Sequence, residues 1–214
     1  MGKQAIITGG SGGLGSMIAE ELRSNGWTVE SLGSGDLDLT DGHAVAAYFQ
    51  NRVPDLLVCA AGITRDAPLL RLDEAAWDET YQINFQAARR CAAEVLPGMI
   101  GRKAGHIIFI SSQSALHPPV GQAAYAAAKA ALLGLTTDLA ARHGSHNIRI
   151  NTILPGFLET RMTESVSGKR REEVLVAHHL ARFNTTQAVA AFIRFLHENL
   201  PHTSGQVFRL DSRS

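Results

Sequence analysis

The sequence predicts a single α/β domain in which helices cover both faces of a parallel sheet. Six short apolar segments of β type alternate with helical patterns along the 214 residues, and a glycine-rich turn follows the first of them. This alternation is typical of βαβ units, whose crossover helices bury a doubly wound parallel sheet on both sides. The length suits one domain with one sizeable core, so residues 1–214 are expected to form a single unit.

The predicted strands are short and apolar, and the helices between them end at glycine or proline. Strands are expected at Ala5–Thr8, Trp27–Leu32, Leu56–Ala60, His106–Ser111, Arg149–Leu154 and Val207–Leu210. Helices are expected at Leu14–Ser24, Ala44–Arg52, Glu74–Gly98, Ala123–Arg142, a polar pair near Thr163–His179, and Thr186–Asn199. Pro97-Gly98 is expected to stop the third helix, because proline lacks a backbone N–H and clashes with the preceding turn.

The connection after the second strand is abbreviated. A strand ending near Leu32 meets Asp36-Leu37-Asp38-Leu39-Thr40 after a few small residues, with no room for a crossover helix between them. A parallel crossover usually needs about a dozen residues or more. Asp38-Leu39 is therefore interpreted as a minimal third strand.

Composition excludes several classes of protein. Acidic and basic residues are equal in number at 20 each, so no net charge attracts nucleic acid or anionic lipid. No apolar run approaches the about 20 residues of a membrane span, and no basic leader opens the chain, which predicts a cytoplasmic protein. Cys59 and Cys91 lie in apolar segments without metal-ligand spacing, so buried thiols and no metal site are expected.

The glycine-rich turn is placed to bind a phosphate. Thr8-Gly9-Gly10-Ser11-Gly12-Gly13-Leu14-Gly15 joins the first strand to the first helix. Glycines let the backbone approach a pyrophosphate closely, and the helix N-terminus supplies unpaired N–H groups. A dinucleotide is the expected ligand.

The residues at the end of the second strand do not decide between NAD(H) and NADP(H). In dinucleotide folds an acid about 20 residues after the turn accepts the ribose 2′-OH, whereas a basic group accommodates a 2′-phosphate. Gly33 and Ser34 occupy that place, so neither is present. Asp36 can fold back toward a ribose hydroxyl, while Ser34 and the loop amides can receive a phosphate. NADP(H) is slightly favoured over NAD(H) because no acid ends the strand.

Tyr125 and Lys129 form a candidate acid–base pair. They lie four residues apart near the start of an Ala-rich helix, so they share one face. A free tyrosine has a pKa of about 10, and a nearby ammonium is expected to lower it. Ser112 follows a strand at its carboxyl end, where open α/β sheets bind ligands, and its hydroxyl can donate to a substrate carbonyl oxygen.

These motifs together resemble the short-chain dehydrogenase/reductase family over essentially the whole chain. The Thr-Gly-x-x-x-Gly-x-Gly turn, Ser112, the Tyr-x-x-x-Lys pair and the later Pro155-Gly156 turn appear in the family's order. The resemblance implies a Rossmann-type fold and NAD(P)-dependent oxidoreduction. It implies a catalytic set of Asn84, Ser112, Tyr125 and Lys129, with Asn84 supporting a proton relay from the lysine.

The resemblance also implies the cofactor contacts. Its pattern places the dinucleotide against Gly9, Ser11, Gly13, Leu14, Gly15, Ser34, Asp38, Leu39, Ala61, Gly62, Tyr125, Lys129, Pro155, Gly156, Leu158 and Thr160. Asp38-Leu39 corresponds to the family's adenine-contacting pair, with a solvated turn as the alternative. Leu158 and Thr160 correspond to the segment that receives the nicotinamide carboxamide, with a helix cap as the alternative for Thr160. Cys59-Ala60 replaces two asparagines of the family's turn.

The closest family motifs are those of 3-oxoacyl-(acyl carrier protein) reductases. They imply reduction of a 3-oxoacyl thioester, with the acyl group carried on acyl carrier protein, by a homodimer or homotetramer. A short polar segment at residues 157–183 is expected to cover the substrate. The alternatives are an NAD-linked dehydrogenase of a secondary alcohol or sugar, and a non-catalytic dinucleotide-binding regulator.

Overall fold

The computed structural model describes residues 2–213, which form one six-stranded parallel sheet with helices on both faces. The strands are β1 Gln4–Thr8, β2 Thr28–Leu32, β3 Leu56–Cys59, β4 Gly105–Ile110, β5 Ile148–Leu154 and β6 Val207–Arg209. The helices are α1 Gly13–Ser24, α2 Gly42–Phe49, α3 Glu74–Tyr81, α4 Ala87–Arg102, α5 Ala123–His143, α6 Gly168–Val176 and α7 Thr186–Asn199. The predicted doubly wound fold is confirmed.

Two apolar layers hold the helices to the sheet. Successive residues of a strand face opposite sides, so Leu57 packs with α2, α4 and α5, whereas Leu56 and Val58 pack with α1 and α7. The central strands are apolar on both faces, as a sheet covered on both sides requires. This arrangement fixes the strand ends and therefore the positions of the loops that follow them.

The strand order is β2-β1-β3-β4-β5-β6, and it reverses between β1 and β3. Thr8 at the end of β1 pairs in register with Cys59 at the end of β3. Open α/β sheets bind ligands in the crevice outside the carboxyl ends of strands at such a reversal. The glycine-rich turn after Thr8 lies at this crevice.

The interpretation of Asp38-Leu39 as a third strand is wrong. Residues 33–41 form an irregular loop that leads directly into α2, so β2 lies at the edge of the sheet. Asp38 accepts hydrogen bonds from the Thr40 backbone N–H at 2.8 Å and the Thr40 hydroxyl at 2.7 Å, which closes a turn. Leu37 is buried in the core and anchors the loop.

Pro97 does not end its helix, contrary to the prediction. The helical segment that begins at Glu74 passes through a π-helical turn at Gln82–Gln86, and α4 continues to Arg102. Met99, beyond the proline, is fully buried in the core. Lys103 in the left-handed conformation then caps α4, with backbone bonds from Lys103 to Ile100 and from Ala104 to Met99. Burial of the last turn of α4 stabilises the helix by more than the loss of the backbone hydrogen bond that Pro97 cannot make.

Candidate active site

The candidate site begins where β4 ends. Ser111 is buried, and its hydroxyl donates to the Lys129 carbonyl over 2.8 Å, which joins α5 to the end of the strand. Ser112, the next residue, is half-buried and points into the site, where its Oγ accepts the Ser114 N–H at 3.1 Å. This bond caps a short 3₁₀ turn at Gln113–Ala115 and fixes the orientation of the Ser112 hydroxyl.

Tyr125 and Lys129 share one face of α5, as the spacing predicts. The Lys129 ammonium lies 5.7 Å from the centre of the Tyr125 ring and donates to the Ile110 carbonyl over 2.9 Å. Lys129 is 3% exposed, so its charge is held in the interior by a backbone carbonyl. The structure therefore brings Ser112, Tyr125 and Lys129 together at the carboxyl edge of β4.

The pKa of Tyr125 moves in the direction opposite to the one predicted. Burial raises the pKa of Tyr125 to about 12, the interaction with the Ser112 hydroxyl lowers it, and the Asp66 charge raises it. Burial lowers the pKa of Lys129 to about 8. Desolvation is the largest cause of both shifts, because Lys129 is buried and Tyr125 is partly buried. Near neutral pH, Tyr125 is a protonated phenol, which is the form that can donate a proton.

Asn84 lies in the π-helical turn between α3 and α4 and is 1% exposed. Its Nδ2 donates to the carbonyls of Ile63 and Thr80, each over 2.8 Å. Its Oδ1 is buried and has no partner in the described part of the chain. A Cβ placed on Gly62 would come within 2.7 Å of this oxygen and 3.4 Å of the Lys129 ammonium. Asn84 and Lys129 thus both border Gly62, and a π-helical turn is frequent at functional sites.

The glycine-rich turn forms a cradle in which Gly9 and Gly15 have no room for a side chain. Gly9 has φ +72°, and a Cβ there would lie 2.6 Å from the Ala61 nitrogen. A Cβ on Gly15 would lie 2.2 Å from the Gly9 carbonyl oxygen. The turn leads into α1, whose first N–H groups have no helical partners and can bind a phosphate. The residues present therefore fit a dinucleotide pyrophosphate.

The segment after β5 meets this cradle from the other side. Pro155 and Gly156 follow the strand, and a Cβ on Gly13 would lie 3.0 Å from the Thr160 side chain. Thr163 Oγ1 donates to the Leu158 carbonyl over 2.7 Å and accepts the Thr160 N–H at 3.0 Å. Thr160 precedes the 3₁₀ turn Arg161–Thr163, so the helix-cap alternative describes its local position, while its side chain also borders the glycine turn.

The remaining residues predicted to contact the cofactor lie in the loops after β2 and β3. Ser34 is exposed in the loop after β2, and Leu39 is half-buried against the core. Asp38 forms the local turn with Thr40, as its alternative interpretation states. Ala61 and Gly62 follow β3, and the Ala61 N–H donates to the Thr8 hydroxyl over 3.4 Å.

The sequence did not single out a polar chain beside Tyr125. Gln122 donates to the Asp66 carboxylate over 2.7 Å and accepts the Ser114 hydroxyl at 2.8 Å. The Ala67 N–H also donates to the Gly121 carbonyl over 2.9 Å, so the loops after β3 and β4 are joined at the site. In the sequence, Asp66, Ser114 and Gln122 are marked as site residues only by their position in loops that follow strands. Many other loop residues share that position.

Comparison with known proteins decides the family. The model of the short chain dehydrogenase family matches residues 36–171. The chain belongs to this family. The short-chain dehydrogenase described here is 34% identical to the 3-oxoacyl-[acyl-carrier-protein] reductase FabG of Thermotoga maritima, with 98% of this chain and 96% of the relative covered. It is 32% identical to nodulation protein G of Rhizobium sp. over the same shares of the two chains.

A solved structure supports the same assignment. A protein of Beutenbergia cavernae assigned as an NAD(P)-dependent gluconate 5-dehydrogenase, with NADP bound at low occupancy, superposes with a TM-score of 0.95. The two chains are 26% identical, and 99% of this chain and 96% of the other are covered. The short-chain dehydrogenase is therefore an NAD(P)-dependent oxidoreductase.

Residues 2–213 contain neither a candidate metal site nor a candidate membrane-spanning helix. No three His, Cys, Asp or Glu side chains there are grouped so as to hold a metal ion. No helix in this range has the length and hydropathy needed to cross a membrane.

Proposed function

We propose that this short-chain dehydrogenase reduces a ketone to a secondary alcohol, with a 3-oxoacyl thioester as the substrate. The observation that carries the proposal is the position of the Tyr125 hydroxyl beside Ser112, with Lys129 on the same face of α5 at the carboxyl end of β4. Similarity to reductases named for 3-oxoacyl-(acyl carrier protein) substrates supports the thioester.

The residues divide the proton chemistry among them. When a nicotinamide dinucleotide is bound, it would supply the hydride for the carbonyl carbon. The Ser112 hydroxyl donates to the carbonyl oxygen and stabilises the negative charge that develops there. Tyr125 gives its proton to that oxygen, and the Lys129 ammonium stabilises the phenolate that remains. Asn84 Oδ1, buried near Lys129, supplies an acceptor for a water that returns the proton.

The cofactor cradle supports a nicotinamide dinucleotide. We assign the pyrophosphate to the N–H groups of Ser11, Gly13, Leu14 and Gly15, and the nicotinamide carboxamide to Leu158 and Thr160. Lys129 also holds the nicotinamide-ribose hydroxyls in this proposal. We assign Ala61 and Gly62 to the adenosine side. The backbone of Ala61 lies so close to Gly9 that a Cβ on Gly9 would clash with it.

The proposal extends to the binding of an acyl carrier protein and to the oligomeric state of the enzyme. Arg65 is paired with Glu79, and Arg102 with Asp55 and nearby carbonyls, so neither offers a free charge. Arg71 is exposed in the short 3₁₀ turn Leu69–Arg71 between β3 and α3, and it is the better candidate for contact with an acidic carrier protein. The family resemblance implies a homodimer or homotetramer, and we include this assembly in the proposal.

The proposal is tested by following nicotinamide oxidation with acetoacetyl thioesters, simple ketones and 5-ketogluconate. We expect kcat/KM to be highest with the thioester. Turnover of simple ketones and not of thioesters would contradict the substrate class but keep ketone reduction. A protein that binds dinucleotide and reduces no carbonyl in the panel would contradict the whole proposal.

A second candidate is an NAD(P)-dependent dehydrogenase of a sugar acid. The structural similarity to the enzyme assigned as a gluconate 5-dehydrogenase favours it. So does the polar segment at residues 157–183, where α6 carries Lys169, Arg170 and Arg171, although Arg170 and Arg171 form ion pairs with Glu173 and Glu159. The same panel separates the candidates, because 5-ketogluconate would then exceed the thioester in kcat/KM.

A further inference from the structure

The C-terminal residues fold back onto the segment that is expected to cover the substrate. Arg213 forms an isolated antiparallel bridge with His178, which lies just after α6. The His179 N–H donates to the Ser212 carbonyl over 3.1 Å, and the Leu180 N–H donates to the Ser212 hydroxyl oxygen over 3.2 Å. The end of the chain is therefore hydrogen-bonded to the covering segment.

A buried carboxylate lies within this contact. The side chain of Asp211 is 1% exposed, and its Oδ2 accepts a hydrogen bond from Arg213 Nε over 2.6 Å. The His178 ring is buried to the same degree, and its Nε2 lies 3.9 Å from that oxygen. His178 Nδ1 lies 2.6 Å from the Val174 carbonyl, which can only accept, so Nδ1 carries a hydrogen. The other ring nitrogen thus faces Asp211.

This pair contains polar atoms that have not been satisfied. Within residues 2–213, His178 Nε2 and Asp211 Oδ1 are buried and have no hydrogen-bond partner. Burial of an unpaired polar atom is unfavourable. A second proton on the imidazole would let Nε2 donate to the carboxylate, so each of the two side chains can satisfy the other. The contact therefore joins the tail to the covering segment through side chains as well as backbone.

The tail also packs against the turn that follows β5. A Cβ on Gly156, whose φ is +84°, would lie 2.6 Å from the Asp211 Cβ, so the two backbones approach closely. Asn184 links the same two segments, because its Nδ2 donates to the Pro155 carbonyl over 2.9 Å and to the Leu210 carbonyl over 2.8 Å. The position of this turn thus depends on the tail.

Aromatic contacts connect this turn to the covering segment. The ring centre of Phe157 lies 4.6 Å from that of Phe183, and Phe183 meets the His178 ring edge to face at 5.7 Å. Leu158 directly follows Phe157 and is buried. The tail, the covering segment and the start of the segment assigned to the nicotinamide carboxamide therefore pack as one unit.

We propose that Asp211, together with His178 and Arg213, positions the covering segment over the nicotinamide end of the site; these three residues are called the tail clasp. Asp211 is a positioning residue, because it acts through the Gly156 turn and not on the reacting atoms. Without its carboxylate, residues 178–184 would separate from the tail more often and leave the site open. The inference rests on the proposed function, which assigns the carboxamide to the segment containing Leu158.

Hydrogen–deuterium exchange of the full-length protein tests the contact without requiring activity. Asp211→Ala keeps the Cβ that packs on Gly156 and removes only the carboxylate. We expect peptides from residues 178–184 to exchange about tenfold faster than in the wild type, because the His179 and Leu180 amides lose protection. Peptides from β4 should exchange at the wild-type rate.

Steady-state kinetics test the positioning role. With dinucleotide saturating and the best carbonyl substrate of the panel, KM should rise about tenfold in Asp211→Ala, and kcat should fall by a smaller factor. The dissociation constant of the reduced dinucleotide should also rise. A variant that is merely less stable would have a smaller active fraction and would keep the wild-type KM.

Two further variants serve as comparisons. Asp211→Asn keeps an oxygen for Arg213 and gains an amide that can donate to His178 Nε2, so it should retain more protection and a lower KM than alanine. Glu20→Ala removes an exposed carboxylate from α1, outside the tail clasp, and should match the wild type in both measurements. Thermal unfolding of each variant checks that it folds.

Three results would overturn the inference and leave the proposed function intact. They are wild-type exchange at residues 178–184 in a folded Asp211→Ala protein, faster exchange with an unchanged KM, and equal losses in the alanine and asparagine variants. A folded wild type that reduces no carbonyl would instead overturn the proposed function. The tail clasp would then stand if Asp211→Ala showed faster exchange and weaker dinucleotide binding, and it would fall if dinucleotide binding were unchanged.

Discussion

The Lys129 ammonium donates to the Ile110 carbonyl over 2.9 Å, and the Ser111 hydroxyl donates to the Lys129 carbonyl over 2.8 Å. Ile110, the last residue of β4, therefore holds the charge of the lysine, and Ser111, which follows the strand, holds its backbone. Because Tyr125 lies one turn earlier on α5, the same contacts set the distance between the phenol and Ser112. Catalytic geometry here follows from the junction of one strand and one helix.

Replacing Tyr125 by phenylalanine tests the proton donor. The variant keeps the ring and loses the hydroxyl, so kcat for carbonyl reduction should fall by about 10²- to 10⁴-fold. Dinucleotide affinity should change little, because the cradle is formed mainly by backbone. Stopped-flow turnover and cofactor titration measure the two effects separately. Wild-type turnover in a folded Tyr125→Phe protein would exclude the assigned role.

The pH profile of reduction should report Lys129. The pKa of Lys129 is lowered to about 8 by burial, whereas that of Tyr125 is raised to about 12, so the lysine loses its proton first. We expect kcat/KM for the carbonyl substrate to be level below pH 8. It should then decline by up to about tenfold per pH unit as the ammonium is lost. A profile that stays level to pH 10 would contradict the proposed role of the lysine charge.

Gly62→Ala should damage the site through Asn84. Its Cβ would come within 2.7 Å of the buried Asn84 Oδ1, so the asparagine must shift. We expect a loss of about 1–3 kcal/mol in the free energy of unfolding, with a larger proportional loss of kcat than of cofactor affinity. Gly101→Ala in α4, where a Cβ meets no atom within 4 Å, is the control and should be neutral or stabilising. Equal behaviour of the two variants would argue against this packing.

Two stacked histidines, one near the start of β4 and one near the end of α7, should make the stability of the fold sensitive to acid. His106 is fully buried with its ring 5.5 Å from that of His197. Burial first, then the Arg149 charge, holds the pKa of His106 well below its usual range and lowers that of His197 to about 4. The unfolded chain binds protons from about pH 6.5 downward while the folded chain does not, so the free energy of unfolding should decrease between pH 6.5 and 4.

Urea unfolding at several pH values checks this expectation. His106→Phe retains an aromatic ring and removes one titrating group, so its stability should depend less steeply on pH over that interval. Equal slopes for the wild type and the variant would contradict the assignment. Because His106 lies near the start of β4 and Ser112 follows its end, loss of stability is separable from a change in catalytic chemistry.

The sequence predicted features that depend on short spacings. The glycine turn after β1, and Tyr125 one helical turn before Lys129, follow from local backbone geometry alone. The third strand at Asp38-Leu39 was predicted wrongly because the loop conformation depends on burial of Leu37 and on the turn that Asp38 forms with Thr40. The continuation of α4 past Pro97 likewise depends on the tertiary packing of Met99.

The pKa shifts at the site were harder to predict from the sequence. An ammonium four residues from a phenol predicts a lowered tyrosine pKa, but the depth of the site decides the sign, and depth is a property of the folded chain. The link from Gln122 to Asp66 joins two loops that are 56 positions apart in sequence. Such a contact has no local signature, so it appears only once the strands have brought the loops together.

Ending the sheet at β2 has a consequence for protein engineering. Edge strands can recruit other chains, and charged side chains limit this. In β2, Glu30 contacts Arg52 and Tyr48, which places charge on the edge. Grafting an extra strand-and-helix unit between Leu32 and Asp41 would lengthen the sheet without disturbing α5. The same graft would displace Asp36 and its hydrogen bond from the Gly33 N–H, so extending the sheet would also rearrange the backbone beside Ser11 of the glycine-rich turn.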